Sequence, residues 1–180
     1  MNAPERDLVR ASKFLSYVLR HNPDAVGVRL DAGGWIEVET LLAALAAHGR
    51  PIGGDTLDAL LAGTDKRRLE LRDGRIRAAQ GHSVPVDLGL DPVPPPDVLY
   101  HGTVARFLPG ILAGGLRPGR RSHVHLSVDE QTATIVGARR GAPVILRVDA
   151  AGMHRAGHDF YRAANGVWLT AAVAPEWIDS

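Results

Sequence analysis

Three basic groups hold most of the chemistry that the side chains of this sequence can do. Arg20 and His21 stand side by side, followed by Asn22 and Pro23. One is permanently charged and the other titrates near neutrality, so the pair can grip a single phosphate. The same residues equally suit a helix end, where positive side chains complement the dipole and a proline stops the run. From Lys66 to Arg77 there are six basic residues against two acids, Glu70 and Asp73. From Val98 to Val128 there are four arginines (Arg106, Arg117, Arg120 and Arg121) and no acid. Guanidinium groups bind phosphate oxygens through paired hydrogen bonds, which makes both stretches candidate anion sites. For any one of these arginines, a solvated face is the plainer reading.

Three further groups concentrate donors and acceptors. Gln80-Gly81-His82-Ser83 follows an alternating stretch and reads either as a polar binding turn or as a simple strand end. His101-Gly102-Thr103 is expected to close a strand and precede a helix. There the glycine would let a ligand approach the backbone and the helix start would receive a polar group, or the three residues are a simple strand-to-helix turn. His123 and His125 share a strand face, but no acid stands beside them before Asp129 and the chain has no Cys, so no metal is expected. The second half contains only two glutamates, Glu130 and Glu176, and no nucleophile elbow, paired-carboxylate motif or P-loop. An enzyme built this way works by arginine electrostatics rather than by a carboxylate base.

The elements that must position these residues fall into two lobes. Five prolines between Val84 and Pro96 interrupt any regular element, and Pro94-Pro95-Pro96 forms a stiff extended spacer. Residues 1–84 are therefore read as one lobe, 85–96 as a Pro-rich linker and 97–180 as a second lobe. In the first lobe, Leu8, Ala11, Leu15 and Val18 recur at helical spacing from about Asp7 to Leu19. A short extended piece, Trp35 to Val38, precedes a helix from Glu39 to Ala47 that stops at Gly49, and Asp55 is expected to cap a third helix. Residues on either side of Asp73-Gly74 alternate polar and apolar, the signature of a hairpin with a primed turn. Three helices and a hairpin read as a winged helix, a module that often touches nucleic acid without the fold proving it. The second lobe alternates short strands with helices at 104–113 and 129–139. Its segments Val144 to Val148 and Val167 to Ala172 are apolar and β-rich, and there is no Rossmann fingerprint. The fold class expected is α+β.

Composition bounds the answer. With 180 residues, 45% hydrophobic and 23% charged, the chain is globular in character rather than disordered. Its formal net charge of +1 gives no global pull toward nucleic acid or membrane. No apolar run is long enough to span a bilayer, and Met1 to Asp7 lacks a signal peptide's apolar stretch. Absence of Cys excludes disulfides, a thiolate nucleophile and Cys-ligated metal, and makes the cytoplasm the expected compartment. The basic residues are 19 Arg and 2 Lys, a bias that a GC-rich genome also produces.

Six segments, in order along nearly the whole chain, resemble the motifs of the RNA 2′-phosphotransferase family, NAD-dependent enzymes known for finishing tRNA splicing. They are Leu15-Ser16-Tyr17-Val18-Leu19-Arg20-His21, Asp65-Lys66-Arg67-Arg68, Ala79-Gln80-Gly81-His82-Ser83, His101-Gly102-Thr103, Arg121-Ser122-His123-Val124-His125-Leu126-Ser127 and Asn165-Gly166-Val167-Trp168-Leu169. The resemblance implies a winged-helix lobe that holds RNA and an ADP-ribosyltransferase-like lobe that holds NAD, which is consumed as a co-substrate without a metal. It implies removal of an internal RNA 2′-phosphate through an ADP-ribosylated RNA intermediate, releasing nicotinamide and ADP-ribose cyclic phosphate, a step of RNA repair. By motif position the catalytic set falls on Arg20, His21, Arg68 and Arg121. The NAD contacts fall on His101, Gly102, Thr103, His125 and Ser127, and the RNA contacts on Lys66, Arg67, Arg77, Gln80, His82 and Ser83. A monomer with no membrane partner is expected. Transferases that modify proteins commonly carry a glutamate on a late strand, and Val167-Trp168-Leu169-Thr170 has none. Two rivals stand beside this reading: ADP-ribosyl transfer to terminal phosphates of RNA or DNA, and a non-enzymatic winged-helix regulator of nucleic acid.

Overall fold

Leu15, Val18 and Leu19 are fully buried along one stripe of the first helix, α1 (Ala3–Arg20), and that stripe organises the N-terminal core. The computed structural model describes residues 3–62 and 68–179. Helix α1 ends at Arg20 because Pro23 lacks an N–H and forces its predecessor out of helical geometry; Asn22 sits at φ −153°, ψ 73°. A 3-10 turn, Pro23–Val26, leads through Gly27 toward the two-residue strand β1 (Ile36–Glu37). Helices α2 (Val38–Ala47) and α3 (Gly54–Ala62) add Leu41, Leu45, Leu57 and Leu60 to the same core. Burial of a side chain of this size contributes about 1.5–3 kcal/mol. Asp55, expected ahead of α3 as its cap, lies instead inside the first turn, where its charge complements the helix dipole.

Strands β2 (Leu69–Arg72) and β3 (Arg75–Ala78) form the expected hairpin, with Asp73 at φ 49° and Gly74 at φ 75°. Two successive positive φ values define the type I′ turn, whose twist matches the flanking strands. Strand β3 also pairs with β1, Ile36 opposite Ile76, giving the order β1-β3-β2.

The second half is a set of antiparallel strands. Strands β4 (Val98–Val104), β6 (Pro143–Asp149) and β9 (Ile178–Asp179) make one sheet in the order β4-β6-β9. Strands β5 (Val124–Leu126), β7 (Tyr161–Arg162) and β8 (Trp168–Thr170) make another in the order β5-β8-β7. A bridge between Tyr100 and Ser127 ties the two sheets together. Between the strands lie α4 (Leu108–Gly114), α5 (Glu130–Gly137) and α6 (Ala150–Arg155). Leu99, Leu126, Leu146, Val148, Met153, Phe160 and Trp168 form a core separate from that of the first half. The class is α+β, with six α-helices among the described residues.

Two local expectations are corrected. Strand β4 continues through His101-Gly102-Thr103 to Val104, so these residues lie within a strand rather than at a strand-to-helix junction. The helix expected over 104–113 begins only at Leu108, after a 3-10 turn Ala105–Phe107, so Pro109 occupies its first turn, where the missing N–H costs nothing. The chain divides into two compact units, 1–89 and 90–180. Residues 85–96 contain no helix or strand. Asp87 donates its backbone N–H to Ala32, and Val93 to Phe160, so each end of the segment is tied to its own unit.

Candidate active site

In the first unit the end of α1 and the segment after β3 are bound together. The Arg20 carbonyl accepts from the N–H of Ser83 (2.8 Å) and of Val84 (3.3 Å). Its guanidinium donates from Nη2 to the Arg68 carbonyl (3.3 Å), which also accepts the N–H of Ala79 (2.9 Å). The hairpin ladder thus continues one step beyond the Leu69–Ala78 pair and carries Arg68 to the side chain of Arg20. Gly81, at φ +87°, lets the chain turn where a Cβ would sit 3.9 Å from the Arg20 side chain. His21 Nδ1 and Ser83 Oγ share a hydrogen bond of 2.9 Å. Of the residues singled out from the sequence, Arg20, His21, Arg68, His82 and Ser83 therefore converge here, with Gln80 half-buried beside them. Lys66 and Arg67 lie outside the described residues.

Two members of the group are internal. His82 is 2% exposed, and burial, followed by the charges of Arg20, Arg77 and His21, lowers its pKa from 6.5 to about 4. It is a neutral ring under a cationic surface. Arg77 is also buried; it donates to the carbonyls of Gly33 and Leu88 (3.1 Å each) and to Glu70 Oε2 (3.0 Å), and it lies 4.5 Å over the Trp35 ring. Its guanidinium bolts the hairpin to the segments on either side of it.

In the second unit, His101 Nδ1–H donates to the His125 carbonyl (3.0 Å). Burial, then the charges of Arg140 and Arg121, lowers the pKa of His101, so the ring stays neutral and its Nε2 is an acceptor. Arg121 Nη1 donates to His125 Nδ1 (3.3 Å), which fixes His125 as the other tautomer. The pKa of Arg121 is lowered by burial first and then by Arg140 and Arg139. Arg121 and the two imidazoles thus sit together beside β4 and β5, with Arg140 and Arg139 near enough for their charges to act on Arg121. Ser127 joins them through its backbone, exchanging N–H and carbonyl with Tyr100 (2.7 and 2.9 Å).

Gly102 and Thr103 are placed differently from the expectation. A Cβ on Gly102 would collide with the Ala133 carbonyl oxygen, and the Thr103 carbonyl abuts Gly137. The backbone that approaches Gly102 belongs to α5, so helix–strand packing supplies the reason for a glycine there. Arg139 and Arg140, in the 3-10 turn Ala138–Arg140, were not singled out from the sequence. Their signal, adjacent arginines closing a helix, is the same as that of a dipole cap.

The arrangement suits anions: guanidinium forks for phosphate oxygens, and a neutral imidazole acceptor for a hydroxyl. Among the described residues no group of three or more His, Asp or Glu could hold a metal ion. No helix among them is long and apolar enough to cross a membrane.

A family model described as RNA 2′-phosphotransferase, Tpt1 / KptA family, matches residues 6–172. All six ordered segments lie within that span. A Streptomyces coelicolor protein named "Probable RNA 2′-phosphotransferase" is 56% identical over 170 residues, covering 94% of this chain and 93% of its own. Proteins of the same name from Agrobacterium fabrum and Hahella chejuensis are 58% identical over 164 residues (90% and 88% covered) and 52% identical over 176 residues (97% and 95% covered).

Proposed function

The chain belongs to the RNA 2′-phosphotransferase family, and on that premise we propose that it removes an internal 2′-phosphate from RNA by transferring it to NAD. In this reaction the RNA 2′-phosphate displaces nicotinamide from the anomeric carbon of NAD. The adjacent ribose hydroxyl then attacks phosphorus and breaks its bond to the RNA 2′-oxygen, leaving a 2′-hydroxyl on the RNA and ADP-ribose cyclic phosphate as co-product. The nucleophile is already anionic, so what the protein must supply is positioning and charge rather than a base.

The observation that carries the reading is the convergence of Arg20, His21 and the Arg68 backbone at the end of α1, in a chain whose motifs run in family order. In this reading Arg20 and Arg68 hold the 2′-phosphate through guanidinium forks, and His21, oriented by Ser83, adds a titratable donor. Arg121 carries the charge that develops at phosphorus in the second step. On the NAD side, the neutral His101 accepts a hydroxyl proton, while Arg140 and Arg139 add charge around Arg121. The α1–α3 helices and the hairpin form the winged-helix, RNA-holding lobe. The antiparallel unit is the ADP-ribosyltransferase-like, NAD-holding lobe.

The test is incubation of an oligonucleotide bearing one internal 2′-phosphate, with and without NAD. Loss of the phosphate only with NAD, with nicotinamide and a cyclic-phosphate product in equal amounts, is expected. Transfer to the oligonucleotide without a cyclic product would favour modification of terminal phosphates instead. No nicotinamide release at all would overturn the reading.

A further inference from the structure

One face of α1 runs on from His21 as a strip of rings and cations. Tyr17 and His21 have ring centroids 6.4 Å apart, and Phe14 and Tyr17 stack at 6.5 Å with planes 27° apart. Arg10, Lys13, Phe14 and Tyr17, together with Arg50 from beyond the end of α2, line an open groove of about 460 Å³. The Arg50 guanidinium lies 5.2 Å over the Phe14 ring. No acid lines this groove, although the chain as a whole is balanced at +1. Positions 10, 13, 14, 17 and 21 share one helix face, and from 10 to 21 the axis advances about 16 Å.

Core packing explains Phe14, which is partly buried against the N-terminal core, but not the rest. Tyr17 is 43% exposed, and its hydroxyl accepts a hydrogen bond from Asn22 Nδ2 (2.9 Å), so the ring is held in place while its face is presented to solvent. Arg10, Lys13 and Arg50 are exposed. Fixed aromatic faces flanked by cations are the means by which proteins bind single-stranded nucleic acid: bases stack on the rings and phosphates meet the cations.

We propose that this α1 strip is a track for the single-stranded RNA flanking the 2′-phosphate, with a base stacked on Tyr17 and backbone phosphates on Arg10, Lys13 and Arg50. The proposal rests on the reading of His21 as a residue of the phosphate site. From there the track supplies affinity for RNA length rather than for the reacting group, and it is indifferent to sequence because every base has a face to stack.

The experiment compares two substrates with the same internal 2′-phosphate, a dinucleotide and a decanucleotide, across wild type, Tyr17→Phe, Tyr17→Ala and the double variant Arg10→Ala/Lys13→Ala. Tyr17→Ala and the double variant raise KM for the decanucleotide about tenfold or more. Their kcat, and the KM for the dinucleotide, stay within about twofold of wild type, the pattern of lost uniform binding. Tyr17→Phe keeps the stacking face and loses only the hydrogen bond from Asn22, so its decanucleotide KM rises far less than that of Tyr17→Ala, by no more than about threefold. Equal losses on both substrates would mean that Tyr17 only supports His21, and unchanged decanucleotide KM would mean that the strip is solvated surface; either result overturns the proposal. A parallel measurement, fluorescence anisotropy of an unphosphorylated decanucleotide, reads the track even if wild type turns over neither substrate. Weaker binding by the double variant supports the track there, and equal binding overturns it.

Discussion

Arg121 lies at the protein surface within reach of the charges of Arg140 and Arg139, and burial of part of its side chain, followed by those charges, lowers its pKa. In the proposed reaction a phosphate would meet these cations, so Arg121→Ala should disable the second step. Loss of a donor of this kind costs about 3–4 kcal/mol, a hundredfold or more in rate. The measurement is a time course with labelled 2′-phosphorylated RNA, in which ADP-ribosylated RNA should accumulate; wild-type turnover would refute the role. His82 makes a prediction of opposite kind, about stability. Its folded pKa, about 4, lies below the ordinary 6.5, so between those values the unfolded chain binds more protons than the folded one. Stability is therefore complete near neutrality and falls as pH drops through that window, by up to about 3 kcal/mol from this group. Melting curves of wild type and His82→Gln from pH 7 to pH 4 should differ in slope, with the variant flatter. Parallel curves would show that His82 does not set the acid sensitivity.

Among the elements, two glycines separate backbone strain from packing. Gly74 sits at φ 75° in the hairpin turn, and a Cβ there would find only Glu37 Oε2, at 3.9 Å. Gly74→Ala should cost about 1–2 kcal/mol, all of it from the left-handed backbone. Gly102 has no positive φ, yet its Cβ would strike the α5 carbonyl at Ala133. Gly102→Ala must push a helix off its strand, and a loss larger than that at Gly74, seen as a lower Tm or as insoluble protein, is expected. A Gly102→Ala protein as stable as wild type would overturn the packing account. The contrast also explains what could be read in advance. Asp73-Gly74 encodes its turn locally, in the φ values those two residues tolerate, so the hairpin is legible from the residues alone. The reason for Gly102 lies some thirty residues away in α5, and local reading assigned its space to a ligand. Strands β7 and β9 have two residues each and α6 has six, too few to establish a period. In the candidate site the adjacency of Arg20 and His21 is visible in sequence. The burial of His82 and Arg77 is not, because their polar types read as solvent-facing binding residues, whereas Arg77 lies in the buried run from Ile76 to Ala79 and His82 follows the buried Gly81.

For the whole molecule, net charge and local charge give different expectations for RNA binding. A formal charge of +1 produces almost no field beyond a Debye length, about 8–10 Å at physiological salt, so long-range steering should be weak. Contact is another matter, because the α1 face and the proposed phosphate site offer Arg10, Lys13, Arg20, Arg50 and Arg68 as cations for RNA phosphates. Each phosphate neutralised on a single strand releases counterions and adds about 0.7 to the slope of log affinity against log salt. Five such contacts give a slope of roughly −3.5, and removing two of them, as in Arg10→Ala/Lys13→Ala, should reduce it to roughly −2. The measurement is equilibrium binding of a 2′-phosphorylated decanucleotide in the absence of NAD, from 50 to 300 mM salt. A slope near zero would mean that the near-neutral total charge describes the RNA-facing surface after all. An unchanged slope in the double variant would assign the salt dependence to Arg20, Arg50 and Arg68 and remove Arg10 and Lys13 from the interface. The association rate should vary far less with salt than the affinity does, because a chain with so little net charge gains its electrostatic affinity after encounter, in a lower dissociation rate.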